Sequence, residues 1–417
     1  MQIMIINMGI GTLLVSVGAT PVSILPPIML AMGYSTFVAV ALPALGFDGL
    51  CTYALLGAPL VAFADLTGTP LVDSALVFSK FMPVISTMIG FGMLWIVGGW
   101  KKVVEGFVPC TLAGVTMGFT AVAVAHWVPA GVVLTGIFAG MATILIMFAY
   151  LKVQGKPIID RSEISKLDLR TENSMSLLKA LSPWIILIIC CLIVNFWSPA
   201  LTLLSKKLAM PFNLIPGGKP ISTRMLWNAY TWVVISTILA LPFITPSKAQ
   251  WKDIGLKWLK RAPRPVFSAA IFFAIAELMV NSGMSPVGDV WKIVNPDWNM
   301  ISVLANTSAQ FFKDLYPIAA AYLGLMGGFI TGSEASTIAL YAKYNLMTTK
   351  LLNLNPLVVT AGIAIAGGLA SVISPAKLQN AAATIDALGI ESQVIKTAIV
   401  VALVFTTVAA LLTFMWA

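Results

Sequence analysis

Apolar residues run through most of the chain in stretches near the roughly 20 residues needed to cross a bilayer, and they are continuous rather than alternating. That pattern predicts transmembrane helices and argues against a closed barrel, whose strands would alternate apolar and polar positions. Uninterrupted runs predict spans at residues 76–98, 106–125, 130–150, 183–204, 225–245, 265–282, 355–370 and 394–416. Four other stretches are broken by glycine, proline and polar residues. Residues 1–33 hold two short apolar arms around Gly18, Ala19, Thr20, Pro21 and Ser23, the pattern of a re-entrant hairpin or broken helix. Residues 36–64 are interrupted by Pro43, Gly46, Asp48 and Gly49, with LLGAP at residues 55–59. Near the other end, GGFITGSEAST at residues 327–337 is followed about forty residues later by SVISPAKLQ at residues 371–379.

The two pairs of breaks have similar spacing, which predicts two structural repeats. The expected fold class is an all-α integral membrane protein, a polytopic helical carrier with two repeats, each containing a re-entrant hairpin and a broken helix. Residues 1–150 are read as the first repeat, residues 151–182 as a cytoplasmic linker and residues 183–417 as the second repeat. Several segments precede the second hairpin and none precedes the first. The pattern therefore predicts that the first repeat lacks its N-terminal helices, and the competing reading is a shortened, non-transporting fragment or subunit.

Composition agrees with the pattern: 59% of the 417 residues are hydrophobic and 10% charged, against about a quarter charged in a soluble domain. The net charge of +9 comes mainly from loop residues, so membrane orientation explains it and a nucleic-acid role is rejected. The basic loops at residues 151–182 and 248–264 outweigh the one holding Lys206, Lys207, Lys219 and Arg224, which puts the first two in the cytoplasm. His126 and Trp127 suit a headgroup interface. Cys51, Cys110, Cys190 and Cys191 lie in apolar surroundings without metal-ligand spacing, so neither a disulfide framework nor a metal site is expected.

Candidate chemistry collects at the breaks. A helix N-terminus carries unpaired N–H groups and a partial positive potential, so two opposed tips can hold a carboxylate. Gly332 allows close backbone approach, while Ser333, Ser336, Thr337 and Ser374 offer hydroxyls for substrate or for capping; Thr20 and Ser23 do the same at the first hairpin. Lys377 follows Ser374 closely enough to face an anion, or to snorkel to the surface. Charges inside a membrane are expensive and mark function. A carboxyl withdrawn from water can exchange protons near neutral pH, so Glu277 and Glu334, ahead of Asp48, are the proton-coupling candidates; the alternative is structural pairing with Lys377, Lys343 or Lys313. Without a nucleotide motif or a Ser–His or paired-aspartate constellation, neither an enzyme nor a cofactor is expected. A channel would need a continuous polar pore.

These residues resemble the lactate permeases, carriers of lactate and glycolate thought to be coupled to protons. FITGSEASTIAL at residues 329–340 is similar to that family's FLTGSDTSSNALF, SVISPAKLQNAAATIDALG at residues 371–389 to its KMISPQSIAIACAAVG, and residues 41–68 to the stretch that ends in FGAMGIPI. The resemblance covers nearly the whole chain. SVGATPVS keeps Gly18, Thr20 and Pro21 of the family's GAGFGTP stretch, and the lysine of its GKMISP is absent, with Lys377 a few positions later. The resemblance implies secondary transport of a small monocarboxylate by proton symport, with lactate or a similar organic anion, protons and the lipid bilayer of the cell membrane as partners. Homo-oligomers, sodium in place of protons, and the choice between lactate and glycolate stay open.

Overall fold

The computed structural model describes residues 1–46, 50–158, 176–213 and 221–417. It is an all-α polytopic membrane protein: among the described residues six helices are long and apolar enough to cross a membrane, and a bent pair adds a seventh. The described residues form two compact units, one of residues 1–147 and 269–417, the other of residues 148–213 and 221–268.

In the first unit, α1 (Met4–Ser16) ends where Gly18 takes a left-handed φ of 86°. Helix α2 (Pro21–Ala31) starts on a proline, whose missing N–H is harmless in a first turn. Next come α3 (Thr36–Gly46), a 3-10 turn at Cys51–Tyr53 and α4 (Ala54–Thr67). The regular part of α4 begins only after Leu55, Leu56 and Gly57, all left-handed. For the two leucines this conformation costs about 1–2 kcal/mol each. Cys51–Thr67 is bent 69° from α3, the interruption expected within residues 36–64.

Helix α5 (Leu71–Glu105) loses helical geometry at Gly98 and Gly99, close to the predicted end of its span. It packs against α6 (Phe107–Trp127) at glycine contacts: a Cβ on Gly118 would lie 2.3 Å from Pro83 Cα, and one on Gly114 2.3 Å from Thr87 Cα. Close approach through small residues is the usual way helices associate in lipid, where hydrophobic exclusion offers nothing. A turn then leads into α7 (Thr135–Val153).

The second unit holds α8 (Leu177–Phe196) packed on α9 (Ala229–Ile244), a two-residue ladder of β1 (Pro211–Phe212) with β2 (Ile221–Ser222), and α10 (Lys248–Arg261). The span expected at residues 183–204 stops at Phe196, because Trp197 turns extended and Pro199 starts a new short helix.

Helix α11 (Pro263–Val280) leads to an antiparallel hairpin of β3 (Met284–Val287) and β4 (Val290–Ile293) and to α12 (Met300–Phe312). The remaining helices of the first unit are α13 (Tyr316–Thr331), α14 (Glu334–Leu351), α15 (Pro356–Leu369), α16 (Pro375–Ala383) and α17 (Glu391–Trp416). A 3-10 segment, Ala370–Ile373, extends α15, and 89% of the span Pro356–Ile373 is enclosed by protein, so this segment faces other helices rather than lipid.

Candidate functional site

The turn between α13 and α14 is built from glycine, serine and threonine for identifiable reasons. Gly332 ends α13 at φ 65°, a conformation that glycine adopts without penalty, and Ser333 is extended and starts α14. The Ser333 hydroxyl accepts from Ser336 N at 3.3 Å. Thr331 Oγ1 accepts from Ser333 N at 3.2 Å and donates to Ser333 O at 3.0 Å, and Thr337 Oγ1 donates to the same carbonyl at 2.9 Å. Ser333 and Thr337 therefore cap and brace the tip. Ser336 and Thr337 are buried; Gly332 and Ser333 are half-exposed.

A second tip comes up beside it. Helix α16 starts after Ser374, whose hydroxyl makes no capping bond although Pro375 fits the first helical position. The Ser374 Oγ is buried without a hydrogen-bond partner among the described residues, and it points toward the turn: a Cβ on Gly332 would lie 2.8 Å from it. One turn further, the half-buried Lys377 Nζ donates to Ser371 Oγ, so the lysine is turned inward rather than snorkelling.

Glu334, the first residue of α14, is 2% exposed. Thr52 Oγ1, from the 3-10 turn of the first broken helix, donates to Glu334 Oε1 at 2.7 Å. Glu334 Oε2 has no hydrogen-bond partner among the described residues. The Cys51 side chain lies beside it, both being within 3.6 Å of where a Gly368 Cβ would sit. The Tyr53 hydroxyl, next to Thr52 in the same turn, is a further buried group without a hydrogen-bond partner among the described residues. Glu334 Oε2 and Ser374 Oγ are thus two buried polar atoms without a hydrogen-bond partner among the described residues, one in the first turn of α14 and one at the start of α16, and such exceptions call for an explanation.

Surrounding contacts hold these tips still. A Cβ on Gly328 would fall 2.0 Å from Gly367 O, and one on Gly367 2.7 Å from Thr337 Cγ2, so α13, α14 and α15 touch at glycines directly behind the site. Further down, Tyr316 Oη donates to Asn345 Oδ1 at 2.9 Å, and Asn345 Nδ2 donates to Thr360 Oγ1 at 2.6 Å, tying the same three helices with a buried polar chain. Across the unit, α16 packs against α2 and α3 while α4 packs against α14.

The structure thus gathers Gly332, Ser333, Glu334, Ser336, Thr337, Ser374 and Lys377 within adjoining tips. Thr20 and Ser23 open α2, exposed, with Ser23 N donating to Thr20 O at 2.9 Å; their side chains make no cap. Glu277 lies one turn before the end of α11, where Asn281 Nδ2 donates to its Oε2 at 3.1 Å. Asp48 lies outside the described residues. Thr52, Cys51 and Ser371 are the participants that sequence reasoning missed. The available signal was their place in interrupted segments, where small polar residues replace the expected run of aliphatics. Among the described residues no cluster of His, Cys, Asp and Glu could hold a metal ion.

The family model described as L-lactate permease matches residues 1–417. An L-lactate permease of Streptococcus iniae is 22% identical over 361 residues, covering 85% of this chain and 71% of that protein. The glycolate permease GlcA of Escherichia coli is 21% identical over 461 residues, covering 100% of this chain and 78% of that protein. An L-lactate permease of Bacillus subtilis is 21% identical, covering 95% and 74%. No solved structure matches the chain.

Proposed function

The chain belongs to the L-lactate permease family, and on that premise we propose that it carries a small monocarboxylate of the lactate or glycolate type across the cell membrane by proton symport. The substrate carboxylate is held between the tips of α14 and α16. Main-chain N–H groups at the two helix starts, the Ser374 hydroxyl and the Lys377 ammonium supply the positive end of the site. Ser333, Ser336 and Thr337 shape it from the other side. The observation that carries this reading is the pair of buried, unbonded atoms, Glu334 Oε2 and Ser374 Oγ, beside two helix N-termini.

Glu334 couples the proton. Its Oε1 already accepts from Thr52, which leaves Oε2, beside the Cys51 side chain, to take the proton. Two negative charges a few ångströms apart in a low-dielectric site repel strongly. Protonation of Glu334 therefore precedes anion binding, and loss of the anion frees the proton; one anion with one proton moves no net charge. Thr20 and Ser23 belong to the corresponding hairpin of the first half, and Glu277, bonded by Asn281 near the end of α11, is a second coupling candidate.

Access alternates around the two repeats of residues 1–150 and 183–417, with α1–α4 as the hairpin and broken helix of the first and α13–α16 as those of the second. Reciprocal packing, α16 on α2 and α3 and α4 on α14, supports this reading: each half closes on the tip of the other.

Proteoliposomes containing the purified chain and an internal pH dye test the proposal. External L-lactate or glycolate should acidify the lumen, and labelled lactate should exchange against unlabelled lactate inside. Lactate exchange without acidification would remove proton coupling; absence of exchange by monodisperse protein would remove the substrate class.

A further inference from the structure

Helix α10 lies in the second unit, outside the one that holds the candidate site. Ser247 and Gln250 form a complete capping box: Gln250 N donates to Ser247 Oγ at 3.3 Å and Ser247 N donates to Gln250 Oε1 at 2.8 Å. The helix therefore has its own start signal, immediately after the apolar α9, which ends at Ile244. Unlike its neighbours it is not apolar all round. Trp251, Ile254 and Trp258 recur at spacings of three and four residues, so these three share one face, with Leu259 beyond Lys248 in the helical register. Each is strongly exposed, Trp258 at 66% and Leu259 at 59%.

The other face is basic. Residues 248–261 contain five basic residues and one acid, Asp253, which is tied to Lys257 by a 2.7 Å ion pair. Lys248 and Lys252 fall at the edge of the apolar stripe in the helical register, where an ammonium on a long stem reaches past buried rings to a headgroup. Tryptophan likewise prefers the headgroup level, with its ring in the acyl boundary and its N–H in water.

We propose that α10 lies flat on the bilayer surface and binds anionic phospholipid, with Trp251, Ile254 and Trp258 immersed and the flanking lysines on the headgroup phosphates. A helix rich in lysine on its polar face and tryptophan on its apolar face, and too polar to span, has this as its favourable position. The charge of the segment selects anionic over zwitterionic lipid. Docking of α10 on another protein would cover the same face, and the test separates the two.

Hydrogen exchange of the intact chain, read by mass spectrometry on peptides covering residues 248–261, is compared in nanodiscs of phosphatidylcholine alone and of phosphatidylcholine with phosphatidylglycerol. Amides of α10 should exchange about tenfold more slowly in the anionic discs, while those of α5 stay the same. The triple variant Lys248→Gln, Lys252→Gln, Lys260→Gln should lose that difference, and Ile254→Asp should lose protection in both lipids. Equal exchange of the wild-type helix in the two lipids would overturn the proposal. So would protection in the triple variant matching the wild type, or protection that rises with the number of chains per disc irrespective of lipid.

Discussion

Thr52 and Glu334 lie 282 residues apart, and a 2.7 Å hydrogen bond joins them, Thr52 Oγ1 donating to Glu334 Oε1. One is in the turn that breaks the first half of the chain, the other at the tip of the last hairpin. The bond therefore ties the two elements together at Glu334. Replacing Thr52 by valine keeps the shape and removes the donor, which should cost about 1–3 kcal/mol because a buried acceptor is left without its partner. Thermal unfolding in detergent should show the loss, and Thr52→Ser should recover most of it along with lactate uptake.

Glu334 and Glu277 are both acids within apolar helices, but their settings differ. The Glu277 carboxyl is held by Asn281 near the end of α11, whereas one oxygen of Glu334 has no hydrogen-bond partner among the described residues. Glu334→Gln should abolish lactate-driven acidification while leaving lactate exchange measurable, since an amide imitates the protonated acid. Glu277→Gln should retain coupled uptake within about twofold, as expected for a replacement that preserves a side-chain hydrogen bond.

Ser374→Ala separates substrate binding from structure. No protein group among the described residues bonds the Ser374 hydroxyl, so its removal should be nearly neutral or slightly stabilising in thermal unfolding. If the hydroxyl meets the substrate carboxylate, the KM for lactate should rise about tenfold, the equivalent of about 1.4 kcal/mol. An unchanged KM would remove Ser374 from the binding set.

Two glycine-to-alanine changes should go in opposite directions. At Gly328 the new methyl would lie 2.0 Å from Gly367 O, a backbone atom that cannot rotate away, so α13 must part from α15 at a cost of about 1–3 kcal/mol or more. At Gly255, on α10, nothing lies within 4 Å, and alanine should favour the helix by about 0.8–1 kcal/mol. Thermal unfolding of the two variants in one detergent compares them directly.

Tyr316→Phe removes the donor to Asn345 Oδ1 within the buried chain that ties α13, α14 and α15 together. An unsatisfied buried acceptor costs about 1–3 kcal/mol. Stability should fall by that amount while the KM for lactate holds, because the network supports the tips without reaching them.

Much of this molecule was determined by the sequence alone. Continuous apolar runs dictate membrane helices because the bilayer core offers backbone groups no partner, and the breaks at Gly332 and Ser374 stand out because glycine and N-terminal proline leave so few alternatives. Span ends followed the same logic at Gly98 and failed at Trp197, where the apolar run continues through a break. What only the tertiary structure decided is which polar groups meet. Thr52 and Ser371 look like ordinary small residues in apolar segments, and Glu277 looks as promising as Glu334. Pairing over 282 positions leaves no local pattern to read, because it depends on how helices from both ends of the chain pack, and that packing runs through glycines whose partners the sequence does not name.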